Sequence, residues 1–256
     1  MKKSLNAKNL HNEAFALLIS SWELIMDCLD LMDPKVDMLG LSDDEVDEIL
    51  NEHDDYIKNN RLLMRKIATS LVVVQQSAEI FLKAALCEIN SDLIFTNSNG
   101  KTVDSSKLIK LYNHHYETNI DPDFARKYGE MRQLRNDFTH LLSYYDDKLI
   151  EKVLDYVLHL NEVFGDGSNL INRIANDDSN TQMSILLTGG HLGYSDRYNE
   201  YIIHALNYLK RSKIKRYFGI DVKEKMTCCD DCDNCAGSYE TSQIINGKIR
   251  CLICHP

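Results

Sequence analysis

Residues 61–89 read RLLMRKIATSLVVVQQSAEIFLKAALCEI, and this stretch decides the fold. Leu63, Ile67, Leu71, Val74, Ala78, Phe81, Ala85 and Ile89 recur at intervals of three and four, with no proline or glycine among them. One face of a helix is therefore apolar from end to end. Its 29 residues span about 43 Å, long enough to serve as the spine of a domain against which other helices pack.

The same rhythm continues on both sides. Upstream, Leu10, Ala14, Leu17, Leu18, Trp22, Ile25, Met26 and Leu29 predict an amphipathic helix over residues 10–32, which Pro34 ends. Ser42 with Glu45, followed by Val46, Ile49 and Leu50, reads as a capping box opening a second helical stretch. Downstream, Asn97 to Gly100 is a turn, and Ser105 and Ser106 precede a short helix over 107–116. Asp121 before Pro122 is an N-cap followed by a proline at the first helical position. From Phe124 through Tyr128, Met131, Leu134, Phe138, Leu142, Tyr145, Leu149, Val153, Tyr156 and Leu160 the pattern runs on to Gly165, for nearly forty residues. A helix of that length implies a kink or a break. The Gly-, Asn-, Asp- and Ser-rich stretch from Gly165 to Ser184 marks the end of the helical domain. The expected organisation is a helical domain over 1–165, a linker with an accessory helical segment over 166–226, and a small module over 227–256.

Composition narrows the functional classes. With 256 residues, 44% of them hydrophobic, and only 11 glycines and 3 prolines, the chain can fill a core. No apolar run approaches the ~20 residues of a membrane-spanning helix. Lys2 and Lys3 resemble the start of a signal peptide, but Asn6, Lys8, Asn9, His11, Asn12 and Glu13 stand where its apolar stretch should follow. A cytoplasmic protein with no membrane partner is expected. The net charge of -10 argues against a general polyanion binder. Acidity is concentrated at the N-terminus, where residues 1–60 hold 14 acidic and 5 basic side chains. The basic cluster Lys210, Arg211, Lys213, Lys215 and Arg216 reads first as a solvated helix end.

Six of the eight cysteines fall between Cys228 and Cys254, too local for a disulfide framework across a secreted domain. Cys28 and Cys87 stand alone in helical patterns, where a buried thiol is the ordinary state. Cys232–Cys235 and Cys251–Cys254 form two CxxC pairs separated by fifteen residues. Four thiolates at this spacing suit tetrahedral, structural Zn and leave no open position for catalysis. Ile244 and Ile245, Asn246 and Gly247, then Lys248 and Ile249 predict a β-hairpin with a two-residue turn between the pairs. Together these features resemble a zinc ribbon. Cys229 with Cys232 is an alternative first pair, and Cys228, Cys229 and His255 are left over as spare ligands or neighbours.

Arg135, Asn136 and His140 spell an RNxxxH motif, which resembles the signature of the HEPN superfamily. Glu79 and Lys83 form an ExxxK on the spine helix, a second position that recurs in that family, and the order of the helices agrees over residues 10–165. Leu142 stands where HEPN toxins paired with nucleotidyltransferases often carry a tyrosine; the nearest here are Tyr144 and Tyr145. The resemblance implies a mainly α protein, an up-and-down HEPN-like helical bundle with a small four-cysteine zinc ribbon. It also implies a homodimeric, metal-independent endoribonuclease, a toxin or antiphage defence effector acting on single-stranded RNA. An antitoxin or regulatory protein would be a further partner. On one ideal helix Arg135 and His140 point about 140° apart, and the dimerisation that the family implies would line one cleft with two motifs. In that chemistry His140 supplies general acid and base, Arg135 holds the phosphate oxygens, Asn136 orients phosphate or imidazole, and Glu79 and Lys83 support the arginine. The alternative from another class is a non-catalytic HEPN dimer that binds nucleotide or RNA as a scaffold while its ribbon docks a partner.

Overall fold

A computed structural model of the chain describes residues 6–32, 51–52, 61–96, 100–117, 119–140, 147–165, 167, 170, 171, 173, 174, 206–227 and 242–251. The protein is mainly helical, with a small three-stranded antiparallel sheet near the C-terminus. It forms two compact units, Met1–Val157 and Leu158–Pro256.

In the first unit, α2 (Arg61–Ile89) occupies the span that its periodicity predicts, and α1 (Ala7–Met32) begins three residues before its predicted start at residue 10. Ala14, Leu18, Trp22, Ile25, Met26 and Leu29 on α1 are buried, as are Leu63, Ile67, Leu71, Val74, Ala78 and Phe81 on α2. The two helices run antiparallel, since Ser77 Oγ donates to the carbonyl of Ala14 at 2.7 Å while Ser70 Oγ donates to that of Ser21 at 2.8 Å. Small side chains at these crossings let the axes approach. Each of these buried serine hydroxyls finds a backbone acceptor. Phe15 meets the edge of Phe81 at 4.8 Å between ring centroids, with His11 against both rings. The length and composition of α2 would also suit a bilayer, and here 61% of that window is buried inside the protein.

Asn90 caps a 3-10 turn at Ser91–Ile94 by accepting from the amide of Asp92. The short helix is α3 (Ser105–His115), and its cap is Asp104, whose carboxylate accepts from the amide of Ser106 at 2.7 Å. The hydroxyl of Ser106 first, and its amide second, hold the Asp104 carboxyl below its ordinary range. A stronger acceptor one residue upstream thus takes the capping role that the serine pair suggests. Tyr116 ties the end of α3 to α2 by donating to the carbonyl of Ala85 at 2.8 Å.

The long downstream pattern resolves into α4 (Pro122–His140) and α5 (Asp147–Phe164). Asp121 accepts from the amide of Asp123 at 2.9 Å, and Pro122 opens α4 as the sequence predicts. Phe124, Tyr128 and Met131 are buried on α4, with Tyr128 donating to the carbonyl of Ser105 at 3.1 Å. Lys127 and Asp155, both nearly inaccessible, pair at 2.9 Å between α4 and α5.

In the second unit, α6 (Arg211–Phe218) ends at Gly219, whose φ of 69° is the left-handed C-cap conformation. The sheet orders β1 (Met226–Thr227), β2 (Ser242–Ile245) and β3 (Lys248–Cys251) side by side. Asn246 and Gly247 make the predicted two-residue turn, both with positive φ (53° and 74°), the type I′ geometry that matches strand twist. The two-residue strand β1 is too short for periodicity to reveal. One face of the sheet meets α6 and the loop after it: Gln243 exchanges hydrogen bonds with the backbone of Asp221, and Arg250 lies against Gly219, where a Cβ would fall 2.5 Å from the guanidinium. The predicted stretch from Ser42 to Leu50, the turn residues Asn97 to Asn99 and the segment from Thr188 to Ala205 lie outside the described residues.

Candidate functional site

Arg135, Asn136 and His140 stand on the C-terminal turns of α4, and Glu79 and Lys83 on the second half of α2. Arg135 bridges the two helices. Its Nη1 donates to Oε1 of Gln75 on α2 at 3.0 Å, while Nη2 and Nε donate to Oδ1 of Asn136 at 2.9 and 3.3 Å. The guanidinium is thus gripped from both sides, by a buried amide at the root and by its own motif neighbour at the rim. Gln75 is fully buried, and its Nε2 has no hydrogen-bond partner among the described residues. Asn136 is exposed. His140 closes α4, and its side chain lies outside the described residues.

Gln75, Glu79 and Lys83 are spaced by four and form one polar stripe along α2. Lys83 donates to Glu79 at 2.6 Å, with side chains only 13% and 23% exposed. Gln75, which receives Arg135 Nη1, stands one turn before the ExxxK. Gln75 is not among the site residues expected from the motifs. Its sign in the sequence is a polar residue beside Leu71, Val74 and Ala78 on the apolar face of the spine. On α4, burial and the nearby Glu79 push the Tyr128 phenol upward, so this hydroxyl stays protonated as a donor to Ser105. Chemically, the arrangement holds a permanently charged fork of donors at a fixed place beside an exposed amide, a geometry suited to phosphate oxygens.

The basic cluster on α6 is largely committed to carboxylates. Arg211 and Asp221 pair through two hydrogen bonds at 2.8 and 2.7 Å, and Arg216 meets Glu162 at 2.8 Å. The guanidinium of Arg211 and the amide of Lys223 hold the Asp221 carboxyl below its usual range. This agrees with a solvated helix end rather than a phosphate-binding face.

Of the expected metal ligands, Cys251 is described: it ends β3 and is fully buried. Cys232, Cys235 and Cys254 lie outside the described residues, as do Cys228, Cys229 and His255. The strand register still constrains the site. Thr227, Ser242 and Cys251 form one row across the sheet. Because β1 and β3 run the same way and β2 against them, the chain leaves β1, enters β2 and leaves β3 at one end of the sheet. Four cysteines occur in the segment joining the first two of those points, and Cys254 follows the third by three residues. Ser242 Oγ, beside Cys251 in that row, is buried with no hydrogen-bond partner among the described residues. The donor set and the orphaned hydroxyl fit a thiolate-bound metal at this end. Cys28 differs in kind: burial pushes its thiol up to about 12, as suits a packed core group.

Fold and site together define a mainly helical protein with an arginine anchored between two core helices and a cysteine-bearing antiparallel sheet. The chain matches no protein-family model, no curated protein and no solved structure.

Proposed function

We propose that the chain is a metal-independent endoribonuclease of the HEPN type, acting as a homodimer on single-stranded RNA, with a structural zinc ribbon at its C-terminus. The observation that carries this proposal is the anchoring of Arg135. Two motif residues, Arg135 and Asn136, bond to each other, and the arginine reaches the same helix that bears Glu79 and Lys83. The resemblance to HEPN domains rests on the motifs these two helices carry, and the contact between Arg135 and Gln75 supports it.

In this mechanism a base takes the 2′-hydroxyl proton, the 2′ oxygen attacks phosphorus, and the P–O5′ bond breaks. An acid returns a proton to the departing 5′ oxygen. The products are a 2′,3′-cyclic phosphate, which can open to a 3′-phosphate, and a 5′-hydroxyl. Two copies of His140, one per protomer, serve as base and acid near neutral pH. Arg135 stabilises charge on the phosphate oxygens as it builds, with its place fixed in advance by Gln75 and Asn136. Zn, held by Cys232, Cys235, Cys251 and Cys254, supplies folding energy to the tail and takes no part in the reaction. A role as a toxin or antiphage effector, with an antitoxin or regulator as partner, belongs to the same proposal. The test is cleavage of single-stranded RNA by the purified full chain in the presence of a chelator.

A second proposal is a non-catalytic HEPN dimer that binds nucleotide or RNA as a scaffold and docks a partner through its ribbon. It is favoured by Ile244 and Ile249, cross-strand partners that are 63% and 45% exposed. RNA bound but not cut in the same assay would support it.

A further inference from the structure

The row of residues at the cysteine end of the sheet carries one more step, which rests on the zinc proposal above. A type I′ hairpin makes the flanking pair Ile245 and Lys248 a hydrogen-bonded pair, and the pairs alternate from there. Ser242 and Cys251, three steps along, are then a non-hydrogen-bonded pair, the kind whose side chains stand closest, with Cβ atoms about 4.5–5.5 Å apart. The backbone of Ser242 turns the other way, toward Thr227. Both side chains lie on the face opposite Gln243 and Arg250, so they point away from the groups that meet Asp221 and Gly219. Ser242 is 0% exposed, and its Oγ has no hydrogen-bond partner among the described residues. A serine with its hydroxyl in water, or an alanine in its place, would avoid the cost of burying that group. The hydroxyl needs an acceptor, and a metal-bound sulfur is one.

We propose that the Ser242 hydroxyl donates a hydrogen bond to the sulfur of Cys251 when zinc is bound, making Ser242 a positioning residue of the metal site. Such a bond fixes the sulfur's orientation and draws charge from it, which slows loss of the metal.

The experiment uses the full chain loaded with Co(II) in place of Zn(II), comparing the parent with Ser242→Ala and Ser242→Thr. In Ser242→Ala the sulfur-to-cobalt charge-transfer band is expected to move to lower energy, and affinity in competition with a chromogenic chelator is expected to fall roughly 10-fold. Ser242→Thr keeps the hydroxyl and should restore both readouts. A Ser242→Ala protein with the parent's spectrum and affinity overturns the role of Ser242 while leaving the zinc site standing. A parent chain that binds neither Co(II) nor Zn(II) overturns the zinc proposal and this one with it.

Discussion

Replacing Gln75 by methionine separates the support of Arg135 from the packing of the bundle. The change keeps a long unbranched side chain on α2 and removes the oxygen that receives Arg135 Nη1 at 3.0 Å. A hydrogen bond to a charged group contributes about 1.5–3 kcal/mol. If the arginine's position counts fully in the transition state, that loss corresponds to a roughly 10- to 100-fold drop in kcat. Stability should respond differently. Gln75 Nε2 is buried without a described hydrogen-bond partner, and removing such a group relieves about 1–3 kcal/mol. That gain offsets the bond lost by Arg135, which is half-buried and keeps its bonds to Asn136. Thermal unfolding of Gln75→Met should therefore match the parent to within about 1 kcal/mol, while cleavage of a labelled RNA slows at least tenfold with little change in KM. Parent-like cleavage would refute the anchoring of Arg135 by Gln75. A strong fall in Tm would refute the separation and make Gln75 a packing residue.

The zinc proposal predicts one Zn per chain in freshly purified, reduced protein, with loss of the metal unfolding the tail while the α1–α2 core stays folded. Metal analysis finding no zinc would sink it, and full zinc retention by Cys251→Ser would overturn the ligand assignment. Dimerisation is expected through the face that carries Asn136 and His140, because one straight helix leaves Arg135 and His140 on different sides. Sedimentation showing a strict monomer at micromolar concentration would contradict this.

Much of the fold is legible because apolar spacing is a local property. Leu63 through Ile89 specify α2, and the pattern from Phe124 to Leu160 is too long for one straight helix, as the separate α4 and α5 bear out. Asn246 and Gly247 announce their turn because few residue pairs tolerate two positive φ values. Other features depend on partners far away in the chain. The amide of Gln75 becomes meaningful only when α4 brings Arg135 beside it, sixty residues later. Met226 and Thr227 become a strand only because Ser242 and Gln243 lie alongside them. The cap of α3 shows a finer limit: Asp104, Ser105 and Ser106 are all good capping residues, and backbone geometry selects Asp104.

The proposed activity, RNA cleavage by the chain's own side chains, has a direct test. Purified protein, incubated with single-stranded RNA and excess EDTA, should yield fragments ending in 2′,3′-cyclic phosphate or 3′-phosphate with 5′-hydroxyl partners, and should spare DNA, which lacks the nucleophile. Arg135→Ala and His140→Ala should each lower the rate by roughly 10²- to 10⁴-fold without unfolding the bundle. Cleavage by His140→Ala at the parent's rate, or cleavage that requires added divalent metal and leaves 5′-phosphate ends, would contradict the mechanism outright.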